Sequence, residues 1–288
     1  STWVLMIAFV VVLTGLVGVI TLALGLPIGV LGVVGIGLII YAVVSYYVST
    51  SVVLSISGAH EVTKEEEWEF VRRVENLSIG SGLPMPKTWV IEDSAPNAFA
   101  TGRDPEHSHV VVTRGLLDKL EPIELEAVIA HEMSHIGNYD IRIMTLATVL
   151  VGLVALISDV FLRWSWMGAG GRRNSRDKGG GGIGIAILLI AIVGAILAPI
   201  VAQAIKFGIS RQREYLADAS GALLCRHPEA LARALEKISS DPEPLEAANK
   251  ATAHLYISNP LKEHASFLNN MFDTHPPIEE RIRLLRSM

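Results

Sequence analysis

The sequence predicts an α+β, mostly helical integral membrane protein: four transmembrane helices and a water-exposed portion with a small antiparallel sheet. Three observations predict it. Half of the 288 residues are apolar and only 18% are charged, a balance that suits neither a fully soluble protein nor a disordered one. The first 59 residues carry no charged side chain. Four apolar runs, grouped in two pairs, are each long enough to span ~30 Å of hydrocarbon at 1.5 Å per residue.

The first pair forms a hairpin within residues 1–50, with segments at about 3–24 and 28–48. Gly25-Leu26-Pro27 separates them, and Pro27 lacks the backbone donor a continuing helix needs. Trp3, Tyr46 and Tyr47 would then sit at one membrane face, where amphipathic rings prefer to lie. A cleaved signal peptide is the competing reading of the first run; the missing basic n-region and the second run close behind it argue against that.

Residues 51–142 read as the first half of a globular domain. Thr63 and Glu66 have capping-box spacing, and Trp68, Val71, Val74 and Leu77 give one helix an apolar face. KTWVIEDSAPNAFATG and HSHVVVTRG are rich in strand-forming residues and broken by Pro and Gly. A helix then starts near Pro122, with Leu125, Val128 and Ile129 on its apolar side. A second hairpin occupies 143–207, with segments at about 143–162 and 183–207 joined by a basic, Gly-rich loop, 163–182. Asp159 falls four residues before Arg163, where an interfacial ion pair would satisfy it. Residues 208–288 supply the second half, a set of helices. Neither half is large enough to bury a core alone, so the two are expected to fold together. Basic residues near the segment ends are tied: five in the loop (Arg163, Arg172, Arg173, Arg176, Lys178) against Lys64, Arg142, Lys206, Arg211 and Arg213 on the other side. Charge therefore assigns no orientation.

Composition also excludes some functions. A net charge of −5 with no concentrated basic stretch gives nucleic acid nothing to hold. The single cysteine, Cys225, rules out an intramolecular disulfide and a Cys-based zinc site, and reads as a small buried apolar residue.

Against this apolar background stands AHEMSHIGNYD, residues 130–140. On a helix, His131 and His135 lie one turn apart on one face, so both imidazoles can meet one metal ion. Glu132 could accept the proton of a water activated by that ion. A catalytic zinc takes three protein ligands and keeps one position open. REYLADA offers Glu214 and Asp218, again four apart. Spacing leaves two readings of Glu214 open: a third ligand, or a solvated charge between Arg211 and Arg213. Both helices stand about seven or eight residues from the ends of the second hairpin, roughly 10–12 Å at helical rise, which would set both at one height close to the membrane. His275, ahead of PPIEERIRLL, reads on its own as a helix cap. The other histidines show no ligand spacing; His107 and His109 alternate along a strand but suit its surface.

Taken together, NAFATG (97–102), HEMSHIGNYD (131–140), SRQREYLADA (210–219) and THPPIEERI (274–282) resemble the HtpX-type membrane zinc metalloproteases, relatives of the CAAX prenyl endoproteases. The motifs occur in that family's order, and the four apolar runs fall where the family has them. The resemblance implies a gluzincin-like protease domain in which His131, His135 and Glu214 bind one Zn2+ and Glu132 is the general base. It implies that Asp218 braces the ligands and that Arg281 supports that region, by pairing with Asp218. It makes His275 the stabiliser of the developing oxyanion. Asn97, Ala98 and Phe99 would line the active cleft, where an extended substrate can add by strand pairing. The implied function is an endopeptidase of the cell membrane that cleaves membrane proteins or unfolded polypeptides in quality control, its active site on the cytosolic side. Two rivals remain: a prenyl-protein processing protease, and a non-catalytic zinc-binding scaffold or sensor. The second would want a fourth protein ligand.

Overall fold

The computed structural model describes residues 29–148, 211–248, 252–258, 260 and 276–288, with isolated positions before residue 29. Most of the expected segment 3–24, residues 149–162, the loop 163–182, the segment 183–207, Asp159 and His275 lie outside the described residues. The chain divides into two compact units, 1–46 with 149–204 and 47–148 with 205–288.

In the first unit the description rests on helix α1 (Gly29–Ile56), whose residues beyond 46 belong to the second. It runs eight residues past the expected end at 48. Its stretch Gly35–Ile56 is, among the described residues, the one helix long and apolar enough to cross a membrane. Val33, Ile36, Ile39, Ile40, Val43 and Val44 are exposed. A helix apolar on all sides would be buried in the core of a soluble protein, and this one is not.

The second unit joins a four-stranded sheet to a layer of helices. Its strands are β1 (His60–Glu61), β2 (Lys87–Ile91), β3 (Ala98–Gly102) and β4 (Ser108–Thr113), in the order β1-β2-β4-β3. The sheet is mixed, not antiparallel as expected: β1 runs antiparallel to β2 and β3 to β4, but β2 and β4 are parallel. The cause is placement. After β2 the chain turns back but leaves one position vacant, β3 takes the outer place, and β4 returns through the short turn at Pro105–His107 to fill the gap. Parallel neighbours normally need a long crossover; here β3 itself is the return path.

The helices are α2 (Trp68–Ser81), α3 (Arg114–Lys119), α4 (Pro122–Gly137), α5 (Arg211–Cys225), α6 (Pro228–Ser240) and α7 (Ile278–Leu285). Thr63 and Glu66 do form the expected bond, with the Thr63 N–H donating to Glu66 at 2.8 Å, in the turn leading to α2. Gly82 closes α2 in the left-handed conformation that a Cβ would disfavour. Helix α4 is the hub, packing on β3 and β4 and against α2, α5 and α6. One apolar core joins Val90, Ala98, Ala100, Val110 and Val112 of the sheet to Val128, Ile129 and Met133 of α4 and Leu231, Leu235 and Ile238 of α6. Each buried Val, Leu, Ile or Met side chain in it contributes about 1.5–3 kcal/mol of hydrophobic stabilisation, the alanines less. Cys225 is buried and free, as expected.

Glu124 anchors the start of α4. Its carboxylate accepts the Glu121 N–H at 2.9 Å, completing a capping box, and accepts from Arg233 at 3.2 Å and Lys237 at 2.6 Å on α6. Burial works to raise its pKa, but the Lys237, Glu121 and Arg233 bonds prevail and hold it below the ordinary value. A lowered folded-state pKa adds stability above the unfolded pKa and loses it as pH falls through the folded one. Glu124→Gln should thus cost about 1–2 kcal/mol at neutral pH, and its stability should fall less than the parent's on acidification below about pH 4.5. Urea unfolding at neutral and acid pH checks both.

Candidate active site

Pro122 fits the first turn of α4, where its missing N–H costs nothing, and Leu125, Glu126, Ala127, Ala130 and Met133 are good helix formers. The helix is buried from Ala127 through Ile136, so His131, Glu132 and His135 all face the interior. Helix α5 crosses α4 closely because Gly221 has no Cβ: one built there would lie 2.8 Å from the His131 nitrogen and 2.9 Å from its Cα. Backbone cannot yield at that distance. Gly221→Ala should therefore push α5 away, at about 1–3 kcal/mol in stability, and loosen any metal held between the helices. Unfolding curves and chelator competition would read the two effects.

The crossing brings three expected donors together. Ligand atoms of His131, His135 and Glu214 all lie within 4.8 Å of one another, each residue buried. The two Nε2 atoms are 3.2 Å apart, and Glu214 oxygens lie 3.5 Å from His135 Nε2 and 3.9 Å from His131 Nε2. Donors about 2.0–2.1 Å from a tetrahedral zinc stand roughly 3.3 Å apart, so the set fits zinc with modest closure. This decides Glu214: at 1% exposure it is no solvated charge.

Each histidine is braced in the same manner. Asp218 Oδ1 stands 3.0 Å from His131 Nδ1, an ion-pair distance out of line for a good hydrogen bond. Arg281, fully buried, grips Asp218 through Nε at 2.8 Å and Nη2 at 2.7 Å, the pairing the sequence reading expected. It also lies 3.6 Å from Glu214 and donates to the Ile257 carbonyl at 3.0 Å. His135 Nδ1 meets Asp140 at 3.1 Å, and Asp140 pairs with Arg213.

Charge gives a second test of fit. Four buried carboxyl groups (Glu132, Asp140, Glu214, Asp218) face two guanidiniums (Arg213, Arg281), an acidic surrounding that suits a cation. Burial raises the Glu132 pKa to about 7, with Glu214 adding to the rise. Burial alone would lower His135; the Asp140 bond and the charges of Glu214 and Glu132 outweigh it and push the group up to about 9. Burial lowers His131 despite Asp218. Asp218 is held at about 2, its burial overridden chiefly by Arg281.

Glu132 is not in the donor set. The backbone amide of Ala100 on β3 acts on it to favour the ionised form, against the rise that burial causes. Of the expected cleft residues, Ala98 faces the α4 side and joins the core. Phe99, alternating with it, turns to the other sheet face and meets Tyr256 edge-on at 4.9 Å. Asn97 ties strands together: its N–H donates to Thr113 Oγ1, and its Nδ2 donates to the Ser258 carbonyl at 3.1 Å. The Ala98 carbonyl accepts the Ile257 N–H at 2.9 Å. What β3 presents toward Glu132 is therefore backbone, and part of that edge is paired with the 252–258 segment.

The sequence reading missed Asp140, Arg213 and Gly221. Asp140 was in plain view within 131–140, but five residues past His135 a straight helix would aim it away. The chain kinks at Tyr139, whose φ of 59° is left-handed, and that turns Asp140 back.

Two histidines one turn apart, a carboxylate from a crossing helix and a buried glutamate beside the first histidine define a metal-dependent hydrolase. The chain belongs to peptidase family M48, a zinc-dependent metalloprotease family, whose sequence profile it matches over residues 64–288. It is similar to a protease HtpX homolog of Dictyoglomus thermophilum, 52% identical over 248 residues, covering 85% of this chain and 78% of that protein. A protease HtpX homolog of Caldanaerobacter subterraneus subsp. tengcongensis is 45% identical over 262 residues, 90% of this chain and 86% of that protein. The crystal structure of S. mikatae Ste24p shares the fold, with a TM-score of 0.51 at 20% identity over 87% of this chain. The chain spans 57% of Ste24p's length.

Proposed function

We propose that this metalloprotease is a membrane-embedded zinc endopeptidase that cleaves membrane proteins, misfolded ones above all, in quality control, from the cytosolic side of the cell membrane. The observation that carries the reading is the division of labour at the site: three donors poised around one point, and Glu132 beside them with no ligand duty. A structural zinc would call for a fourth protein donor, and among the described residues the cluster has three. The exposed apolar face of α1 and the short sequence distance from both ligand helices to the second hairpin support the membrane setting.

Bound zinc would supply Lewis acidity, bringing a water's pKa to about 7. The residues supply the rest. His131, His135 and Glu214 would hold the ion; Glu132, buried beside them, takes the proton of the attacking water and passes it to the leaving amine. Asp218 and Arg281 fix His131 and Glu214. His275 stabilises the oxyanion, and the stretch Asn97 to Phe99 lines the cleft, where the β3 edge at Ala100, beyond the part paired with 252–258, guides an extended substrate.

The test of the substrate class compares an unfolded reporter with and without a transmembrane anchor, using protein in nanodiscs. The anchored form should show at least about tenfold higher kcat/KM, since a shared bilayer raises effective concentration. Equal values would contradict selection of membrane-bound substrates, and cleavage only of prenylated peptides would favour the processing protease.

A further inference from the structure

We propose that Asp140, held by Arg213, is a positioning residue that sets the orientation and tautomer of His135, and so governs how firmly the site holds its metal. The inference rests on the zinc reading above. Asp140 is 1% exposed, yet it stands at a helix boundary where an aspartate would ordinarily be solvated. What keeps it inside is specific. Oδ2 lies 3.1 Å from His135 Nδ1, and Oδ1 pairs with Arg213 Nη1. As acceptor, the carboxylate holds a ring proton on Nδ1, so that Nε2, 3.2 Å from His131 Nε2, is the nitrogen left for the metal. The left-handed Tyr139 serves this contact: with ordinary helical φ there, Asp140 would point elsewhere.

Arg213 adds a second link. It is the residue immediately before Glu214, so its pairing with Asp140 ties the end of the His131–His135 helix to the start of the Glu214 helix. All three donors are thus coupled through the backbone and one ion pair. The arrangement parallels Asp218 and Arg281 at His131, but its partner is different in kind: Arg281 is fully buried, whereas the Arg213 side chain is 37% exposed. Removing Asp140 therefore strands no buried charge, and its effect should fall on the metal more than on the fold.

The experiment measures zinc affinity by chelator competition, and zinc-free thermal stability, for the full chain in detergent. The variants are Asp140→Asn, Asp140→Ala, Arg213→Gln and the Asp140→Asn/Arg213→Gln double. Asp140→Ala should bind zinc about 10–100-fold more weakly, the usual effect of losing such a partner. Asp140→Asn, whose amide oxygen still accepts from Nδ1, should lose less. Arg213→Gln should weaken zinc in the parent but add little in the Asp140→Asn background, because the two act as a unit. In cobalt-substituted protein, Asp140→Ala should shift the visible ligand-field bands. Zinc affinities of Asp140→Asn and Asp140→Ala within twofold of the parent would overturn the proposal. So would a loss of zinc that simply tracks loss of zinc-free stability. If Asp140→Ala does not fold, the isosteric Asp140→Asn and the double variant decide. A parent that binds no zinc would overturn the zinc reading and this proposal with it; a parent that binds while the variants match it overturns this proposal alone.

Discussion

Glu132→Gln is expected to keep one zinc per chain with parental affinity and to lose at least about 10³-fold in kcat, the upper part of the range for a general base. Its amide has nearly the shape of the carboxylate, so packing around a residue only 2% exposed is preserved. What the amide cannot do is take a proton. Because Glu132 lies outside the three-donor cluster, zinc content should not change. Single-turnover cleavage with metal analysis on the same preparation separates the roles. Cleavage near the parental rate would remove Glu132 as the base, and a loss of zinc would make it a ligand instead.

The second large effect is on stability. Arg281→Ala should cost about 3–5 kcal/mol, the usual result of removing one partner from a buried ionic cluster. Arg281 is fully buried, and its guanidinium makes two hydrogen bonds to Asp218 and one to the Ile257 carbonyl, with Glu214 at ion-pair distance. Without it, two carboxylates face each other across His131 with no permanent cation. Arg281→Lys should recover only part of the loss, since an ammonium cannot grip Asp218 with a two-pronged fork. Added zinc should raise the stability of both variants as ligand linkage requires. Denaturant unfolding with and without zinc tests this; a loss below about 1 kcal/mol would show that the cluster tolerates the missing cation.

The donors were legible because their logic is local. Histidines four apart on a helix share a face wherever the helix sits, and Glu214 and Asp218 repeat that spacing. Their union is less so: spacing alone leaves Glu214 open, and what settles it is the crossing of α5 over α4 at Gly221, a contact between residues 90 positions apart in the chain. Asp140 escaped because its direction depends on one left-handed residue, Tyr139, and nothing about a tyrosine announces that conformation. The strands were visible as β-branched runs, but not their order. That β4 enters between β2 and β3 is a tertiary fact, and it turns an expected antiparallel sheet into a mixed one. Phe99 is similar: strand alternation says it opposes Ala98 and Ala100, but only the position of α4 says which face carries the site.

The central claim is that one zinc, held by His131, His135 and Glu214, is what makes the chain a protease. Stepwise zinc addition to chelated protein, with cleavage of an unfolded reporter followed at each step, tests it most directly. Cleavage should return linearly and saturate at one equivalent, and Glu214→Gln should neither retain that equivalent under competition nor recover cleavage. Full activity after chelation, saturation at another stoichiometry, or a Glu214→Gln variant that binds and cleaves like the parent would contradict the account.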